Sequence, residues 1–172
     1  YDAAYAVVGL LTGGNGGNDL GAAWTAGTGV TSDHVNTTSP RTGLVSFRLV
    51  TDGARAASAA LLSQSLANPT QFRGKALTAV AYLRRTGGTE SGITLRIADN
   101  IGGTNAGTVT ASTDTAATVT RVIDAAATSV TISFIISATE TAAHTFFVDD
   151  IDILPEGGVI CAGVALVASV LS

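Results

Sequence analysis

Residues 144–154 read His144-Thr145-Phe146-Phe147-Val148-Asp149-Asp150-Ile151-Asp152-Ile153-Leu154, and Pro155 follows them. The β-branched and aromatic residues of this stretch, closed by a proline, are typical of a β-strand. Strict alternation would divide the stretch into two faces, with Phe147, Asp149, Ile151 and Ile153 on one and Val148, Asp150 and Asp152 on the other. Three carboxylates on a core strand are unusual, because a buried charge needs a partner or a metal ion. We expect the other strands to be arranged around this one.

Period-two alternation recurs along the chain. It predicts strands over residues 43–51, 75–85, 93–98, 108–112, 118–123 and 130–136. Residues 57–66 fit a strand or a short helix equally well. Turns rich in Gly, Thr and Asn separate these segments, and no helical pattern of ten or more residues is present. The sequence therefore predicts an all-β fold, an antiparallel β-sandwich (jelly roll) of about ten strands with extended apolar terminal segments.

Both ends of the chain are apolar and uncharged. Residues 3–18 and 159–171 contain no Asp, Glu, Lys or Arg. We divide the chain into an N-terminal arm with a Gly/Asn loop (1–19), the sandwich (20–155) and a C-terminal apolar strand or arm (156–172). The ends either pair within the domain or complete a neighbour by strand addition, and both alternatives stay open. The candidate assembly contacts are Tyr5, Val7, Val8, Leu10, Val159, Ile160, Val164, Leu166 and Val170.

The composition excludes several classes of partner. The 172 residues carry a net charge of −4 with no basic block, so a nucleic-acid partner is not expected. No stretch approaches the roughly 20 apolar residues of a membrane-spanning helix, so no membrane partner is expected.

Cys161 is the only cysteine, so an internal disulfide cannot form. The chain has no Met, and we expect Tyr1 to be a processed start. Small side chains, with 13% charged and 5% aromatic residues, suit tight sheets and surfaces buried between subunits.

Few residues have the character of a chemical site. Trp24 could plug the core or stack on a sugar, and the core is the favoured alternative. Asp33-His34 has no Gly-x-Ser-x-Gly nucleophile to complete a triad, and His144 is expected at the rim of its strand. The carboxylates of residues 149–152 lack a second acid from another element. We therefore predict no catalytic residues and no enzymatic activity.

Several motifs occur in a familiar order. They are Trp24-Thr25, Val45-Ser46-Phe47-Arg48-Leu49, Leu61-Leu62-Ser63-Gln64, Phe72-Arg73-Gly74-Lys75, Ala81-Tyr82-Leu83 and Phe146-Phe147-Val148-Asp149-Asp150-Ile151. Over about residues 20–154 this order resembles jelly-roll carbohydrate-binding modules of the family four, nine and twenty-two type, a kind of domain also found in phage decoration, fibre and tail proteins. The resemblance implies glycan binding, for which Trp24 and Tyr82 are the candidates. It also implies a structural calcium ion at Asp150 as the one candidate cofactor, although the usual Asn-Gly-x-Phe-Glu start is absent.

The sequence leads to two functional hypotheses. The first is a structural assembly protein, most simply a jelly-roll subunit on a virion surface (a capsid decoration or fibre-like protein) or in an extracellular filament. Its partners would be copies of itself and a major capsid or filament protein. The alternative is a carbohydrate-binding module of a secreted enzyme or adhesin, with a glycan as partner. Both hypotheses place the chain on a virion surface or outside the cell.

Overall fold

The structure is a computed structural model that describes residues 24–36, 40–41 and 46–156, with residues 33–36 described by their backbone alone. Ten strands account for most of it. They are β1 (Thr25–Ala26), β2 (Val30–Asn36), β3 (Ser46–Thr51), β4 (Ala60–Ser65), β5 (Ala76–Gly87), β6 (Ile93–Asp99), β7 (Gly103–Asn105), β8 (Thr115–Val122), β9 (Val130–Ile136) and β10 (Thr145–Pro155). A short 3-10 helix spans Pro69–Phe72. No helix in this described part is long and apolar enough to cross a bilayer.

The strands form two five-stranded antiparallel sheets. Sheet one has the order β1-β4-β9-β6-β7, and sheet two has the order β2-β3-β10-β5-β8. The sheets pack as a sandwich, so the predicted all-β jelly roll is confirmed. The nine candidate assembly residues lie in segments 1–23 and 157–172, outside the described residues. The proposed roles of the two chain ends stay predictions.

The space between the sheets is filled by the apolar faces of the alternating strands. On β6, Ile93, Leu95 and Ile97 are completely buried, as period-two alternation predicts. Trp24 lies in the same core, with its ring centroid 5.9 Å from that of Phe47 and 5.8 Å from that of Phe134. Aromatic contacts at this distance join the two sheets, since Phe47 belongs to β3 and Phe134 to β9.

The stretch 144–154 lies at the centre of sheet two as β10, between β3 and β5. A β-bulge interrupts its register between Asp149 and Asp152, and Asp150 has a φ of 46°. The extra residue resets the alternation, so the prediction of its two faces was wrong. The core face holds Phe146, Val148, Ile151 and Ile153, and the outer face holds Phe147, Asp149, Asp152 and Leu154.

Three local predictions have a clear outcome. Residues 57–66 form a strand, β4, and not a helix. The strand predicted at 108–112 is reduced to one bridge between Val109 and Ile93. The connection between the strands predicted at 93–98 and 108–112, where the sequence predicts only a turn, contains the short edge strand β7. A three-residue strand is too short to show alternation, and the sequence therefore could not reveal it.

Candidate functional site

The two aromatic side chains that point away from the core lie on the outer face of sheet two. Tyr82 on β5 is paired with Asp149 on β10. Phe147 on β10 is paired with Arg48 on one side and with Arg84 on the other. The strands of sheet one carry no aromatic residue on their outer faces in the described residues. Sheet two is therefore the sheet whose outer face carries aromatic groups.

Tyr82 is the aromatic side chain of this face that is partly exposed to solvent. All other aromatic residues in the described part of the chain are buried, whereas Tyr82 is half-buried. Phe147 is only 7% exposed, because the guanidinium carbon of Arg84 lies 4.2 Å from its ring centroid. Arg84 in turn contacts Asp114, with 3.5 Å between Nε and Oδ1. An incoming sugar ring would therefore meet Tyr82 before any other aromatic surface.

Arg41 covers part of the Tyr82 ring. Its guanidinium carbon lies 3.4 Å from the ring centroid, a cation–π contact. The guanidinium also forms an ion pair with Asp150, and the backbone N–H of Arg41 donates to Asp149 Oδ2 at 2.7 Å. Arg41 belongs to the β2–β3 connection, but β5 lies two strands beyond β3, about 10 Å across the sheet. Arg41 therefore reaches back over the face that a ligand would use.

The Asp152 carboxylate, also on this face, has a raised pKa. Asp152 pairs across the sheet with Val80, whose side chain is only 7% exposed. Burial raises the pKa of Asp152, and its hydrogen bond from the Ile153 N–H, at 2.9 Å, opposes the rise only partly. The carboxylate is therefore easier to protonate than an exposed aspartate, and it makes the face less acidic at low pH.

The same face ends in a shallow depression at the β2–β3 hairpin. Its volume is about 240 Å³, and its lining consists of Gly29, Val30, Thr31, Val50, Thr51 and Asp52. Enclosed ligand sites usually measure roughly 300–1,000 Å³. A ligand of useful size must therefore extend along the sheet surface rather than enter this depression.

His144 is fully buried, so its expected position at a strand rim was wrong. Its Nδ1 lies 2.8 Å from Glu140 Oε1 and from the Ala142 carbonyl oxygen, while Nε2 accepts from the Ser91 N–H at 3.3 Å. Since Nε2 accepts, the ring carries its proton on Nδ1. Thr51 Oγ1 donates to the same Glu140 oxygen at 2.7 Å. The cluster joins loops beneath the surface, and its member Thr51 also lines the shallow depression.

The site residues proposed from sequence separate in space. Trp24 lies in the core, 6% exposed, and so is not on the candidate face, whereas Tyr82 is on it. The Asp150 carboxylate is paired with Arg41. No group of three or more His, Cys, Asp or Glu side chains that could hold a metal ion occurs among the described residues. The calcium at Asp150 stays a prediction.

Arg41 is the residue of the candidate site that the sequence does not reveal. Its only signal is that it is the single charged residue between His34 and Arg48. A lone charge in a polar connection predicts no contact. The pairing with Tyr82 and Asp150 depends on how the connection returns over the sheet, about 40 and 110 residues distant in sequence respectively.

No protein-family model matches this sequence, and no curated protein matches it. Several solved structures, however, have a similar fold. The C-terminal family 22 carbohydrate-binding module of Clostridium thermocellum Xyn10B superposes with a TM-score of 0.64 at 18% identity, over 93% of this chain and 99% of that one. The CBM22-1 xylan-binding domain of Paenibacillus barcinonensis Xyn10C superposes with a TM-score of 0.61 at 16% identity, over 87% and 94% of the two chains. The chain has the fold of a carbohydrate-binding module.

A third structure widens the comparison. A family 4 carbohydrate-binding module superposes with a TM-score of 0.52 at 16% identity, over 80% of this chain and 98% of that one. At these identities the similarity shows the fold. The neighbours match the fold resemblance drawn from the motifs.

Proposed function

We propose that this chain is a non-catalytic, extracellular glycan-binding module. Its ligand is a polysaccharide of the xylan type, and its binding face is the outer face of sheet two. The single observation that carries the proposal is Tyr82, the one half-exposed aromatic side chain of the described residues, on the outer face of a sheet in a carbohydrate-binding-module fold. An aromatic ring offers a flat apolar surface for a sugar, with a hydroxyl group at its edge for hydrogen bonding.

The polar groups around Tyr82 suit the same role. Asp149 lies opposite Tyr82 on β10, and its carboxylate is held in place by hydrogen bonds from the N–H groups of Arg41 and Asp150. Asp149 is only 3% exposed and accepts from the Arg41 N–H, so its carboxylate becomes an acceptor for a sugar hydroxyl only when Arg41 moves away. The shallow face accommodates a chain that runs along the sheet. The xylan class rests on the named ligand of the structural neighbour CBM22-1.

The experiment is affinity measurement with Tyr82 variants. Titration calorimetry with soluble xylan should show at least roughly tenfold weaker binding for Tyr82→Ala, because stacking and apolar burial are lost. Tyr82→Phe keeps the ring and should stay within about threefold of wild type. Ile101→Ala is the control, since Ile101 is 58% exposed on the β6–β7 turn, away from this face. Unchanged affinity for Tyr82→Ala, or no binding to any glycan by the full chain, would overturn the proposal.

A second candidate, the assembly subunit, is favoured by the uncharged apolar segments 3–18 and 159–171. Light scattering would test it with the full chain and a version that lacks residues 159–172. An assembled full chain and a monomeric, folded truncation would support strand exchange between copies. A monomeric full chain would remove this candidate.

A further inference from the structure

Strand β8 is the one long and regular edge strand in the described part of the chain. The sheet orders leave four strands at an edge: β1 and β7 in sheet one, and β2 and β8 in sheet two. β1 and β7 have only two and three residues, and the register of β2 shifts between Asp33 and Asn36. Short strands and bulges protect a sheet edge against further pairing. β8 lacks both protections, because it pairs with β5 over eight consecutive residues without a shift.

The outer edge of β8 presents backbone groups without partners. The Ile123 N–H, one position beyond β8, donates to the carbonyl oxygen of Lys75, one position before β5, at 3.0 Å. Because backbone groups alternate in direction along an antiparallel strand, every second residue of β8 points its N–H and C=O away from β5. The register makes these residues Ala116, Thr118, Thr120 and Val122. No hydrogen bond among the described residues joins their backbone groups to another partner, so the edge can accept one more strand.

The side chains at these four positions are exposed and uncharged. Val122 is 64% exposed, and it is one of two large apolar side chains with such exposure among the described residues. The single charged residue of β8 is Arg121, and its guanidinium is paired with the Asp99 carboxylate of sheet one at 2.9 Å. Charged side chains on an edge strand hinder the approach of another strand. The edge of β8 therefore fits a partner strand that is apolar and uncharged.

The chain leaves the described part close to this edge. The N–H of Glu156 donates to the Ala76 carbonyl oxygen at 2.9 Å, and Ala76 pairs with Val122. β10 and β8 are both antiparallel to β5, so both end on this side of the sheet. A position outside β8 is three strand spacings from β10, about 14 Å. The five residues 157–161 span about 16 Å when extended, which leaves residues 162–171 to run back along the eight residues of β8.

We propose that residues 162–171 add to the outer edge of β8 as an antiparallel strand of the same chain. The segment 159–171 carries no charge, and its members Val164, Val167 and Val170 are β-branched residues that suit a strand. Residues 157–161 would cross the exposed side chain of Val122. A short linker gives the chain's own segment a high effective concentration at the edge, which favours it over the same segment of a second copy. The proposal does not depend on glycan binding.

Amide hydrogen exchange of the full chain, measured residue by residue by NMR, tests the pairing. The amides of residues 116, 118, 120 and 122 should exchange at least roughly tenfold more slowly than in a chain that carries Val164→Pro and Val167→Pro together. These positions are three apart, so one of the two prolines removes an N–H that faces β8 in any register. The control pair Val164→Ala and Val167→Ala keeps both N–H groups and should keep the protection. Equal exchange in wild type and the proline variant would overturn the proposal.

The amides of residues 117, 119 and 121 are the internal control for folding. They point to β5 and should stay protected in wild type and in both variants. The proline variant therefore reports the loss of the added strand only while these three amides exchange slowly.

A nitroxide spin label on Cys161, the only cysteine of the chain, identifies the source of the added strand. The label should broaden the NMR signals of the β8 amides within its own chain. In an equal mixture of spin-labelled chains and isotope-labelled chains without the nitroxide, the isotope-labelled chains should show no broadening, and light scattering should show a monomer. Broadening in the mixture would assign the strand to a second copy, as in the assembly candidate, and would overturn the proposal.

Discussion

The guanidinium of Arg41 lies 3.4 Å above the ring centre of Tyr82 and is tied to Asp150 on the neighbouring strand. The contact covers the half-exposed aromatic surface of the proposed glycan face. A sugar ring and the guanidinium cannot both occupy this surface of Tyr82. Glycan binding therefore includes the displacement of Arg41.

Removal of Arg41 should accordingly strengthen binding. An exposed cation–π contact contributes about 0.5–1 kcal/mol, so Arg41→Ala should increase xylan affinity about two- to fivefold in titration calorimetry. Arg48→Ala is the matched control, because it removes a cation from the same sheet without uncovering Tyr82. Weaker binding by Arg41→Ala would mean that Arg41 donates hydrogen bonds to the glycan and is not a cover.

The fold could be predicted largely because the signal is local. Strands β5, β6 and β9 alternate over seven or more residues, and a buried face reinforces the pattern at each position. The bulge in β10 was not predictable in this way. One inserted residue at Asp150 exchanges the two faces for everything that follows, and the Asp-Asp pair does not reveal which residue is extra.

The candidate site could be predicted only in part. The resemblance names Trp24 and Tyr82 alike as glycan-binding candidates, and only the sheet packing, which buries Trp24, separates them. His144 shows the same limit. Its partners Glu140, Thr51 and Ser91 come from three separate loops and strands, so the sequence predicts His144 at the rim of its strand although the structure buries it. Contacts between distant segments decide these outcomes.

The packing of Gly88 against His144 gives a sharp stability prediction. Gly88 has a φ of 78°, and a Cβ there would lie 2.2 Å from His144 Cδ2. Gly88→Ala should destabilise the domain by about 3 kcal/mol or more, from left-handed strain and a clash within the buried cluster. Urea unfolding followed by tryptophan fluorescence would measure the loss, since Trp24 lies in the core.

The variant Gly74→Ala distinguishes the cost of left-handed backbone strain from the cost of the clash with His144. Gly74 has a similar φ of 70°, but nothing lies within 4 Å of its added Cβ. Gly74→Ala should therefore cost only the backbone term, about 1–2 kcal/mol. Equal losses in the free energy of unfolding for Gly88→Ala and Gly74→Ala would show that the clash with His144 does not destabilise the domain.

Asp99 should make the domain sensitive to acid. Its carboxylate accepts from Arg121 and from the N–H groups of Ile101, Gly102 and Asp124. The Arg121 hydrogen bonds, aided by these N–H groups and opposed by burial, hold the pKa of Asp99 well below its ordinary value. A lowered folded-state pKa gives stability that is complete above the unfolded pKa of about 3.9 and is lost as pH falls.

The variant Asp99→Asn tests this. At pH 7 we expect a loss of about 2–3 kcal/mol in the free energy of unfolding, because hydrogen bonds to a charged group are replaced by weaker ones. The gap from wild type should narrow as the pH is lowered below about 4, because the carboxyl then binds a proton in the unfolded chain while it is still ionised in the folded one. A gap that stays constant down to about pH 2 would contradict the role of the charge.

Asp152 should have the opposite pH dependence. Burial raises its pKa in the folded chain, so its contribution is most favourable below the unfolded pKa of about 3.9 and is lost as pH rises through the higher folded value. Asp152→Asn should therefore be more stable than wild type at pH 7, and the difference should vanish near pH 3. Since the side chain is half-buried, solvent screening should keep the gain below about 1 kcal/mol. Thermal unfolding at both pH values would measure the difference in stability.

Asp52→Asn is the control, because it removes one negative charge at an exposed position and should not increase stability. An equal increase in stability for Asp52→Asn would assign the effect to net charge instead of to burial.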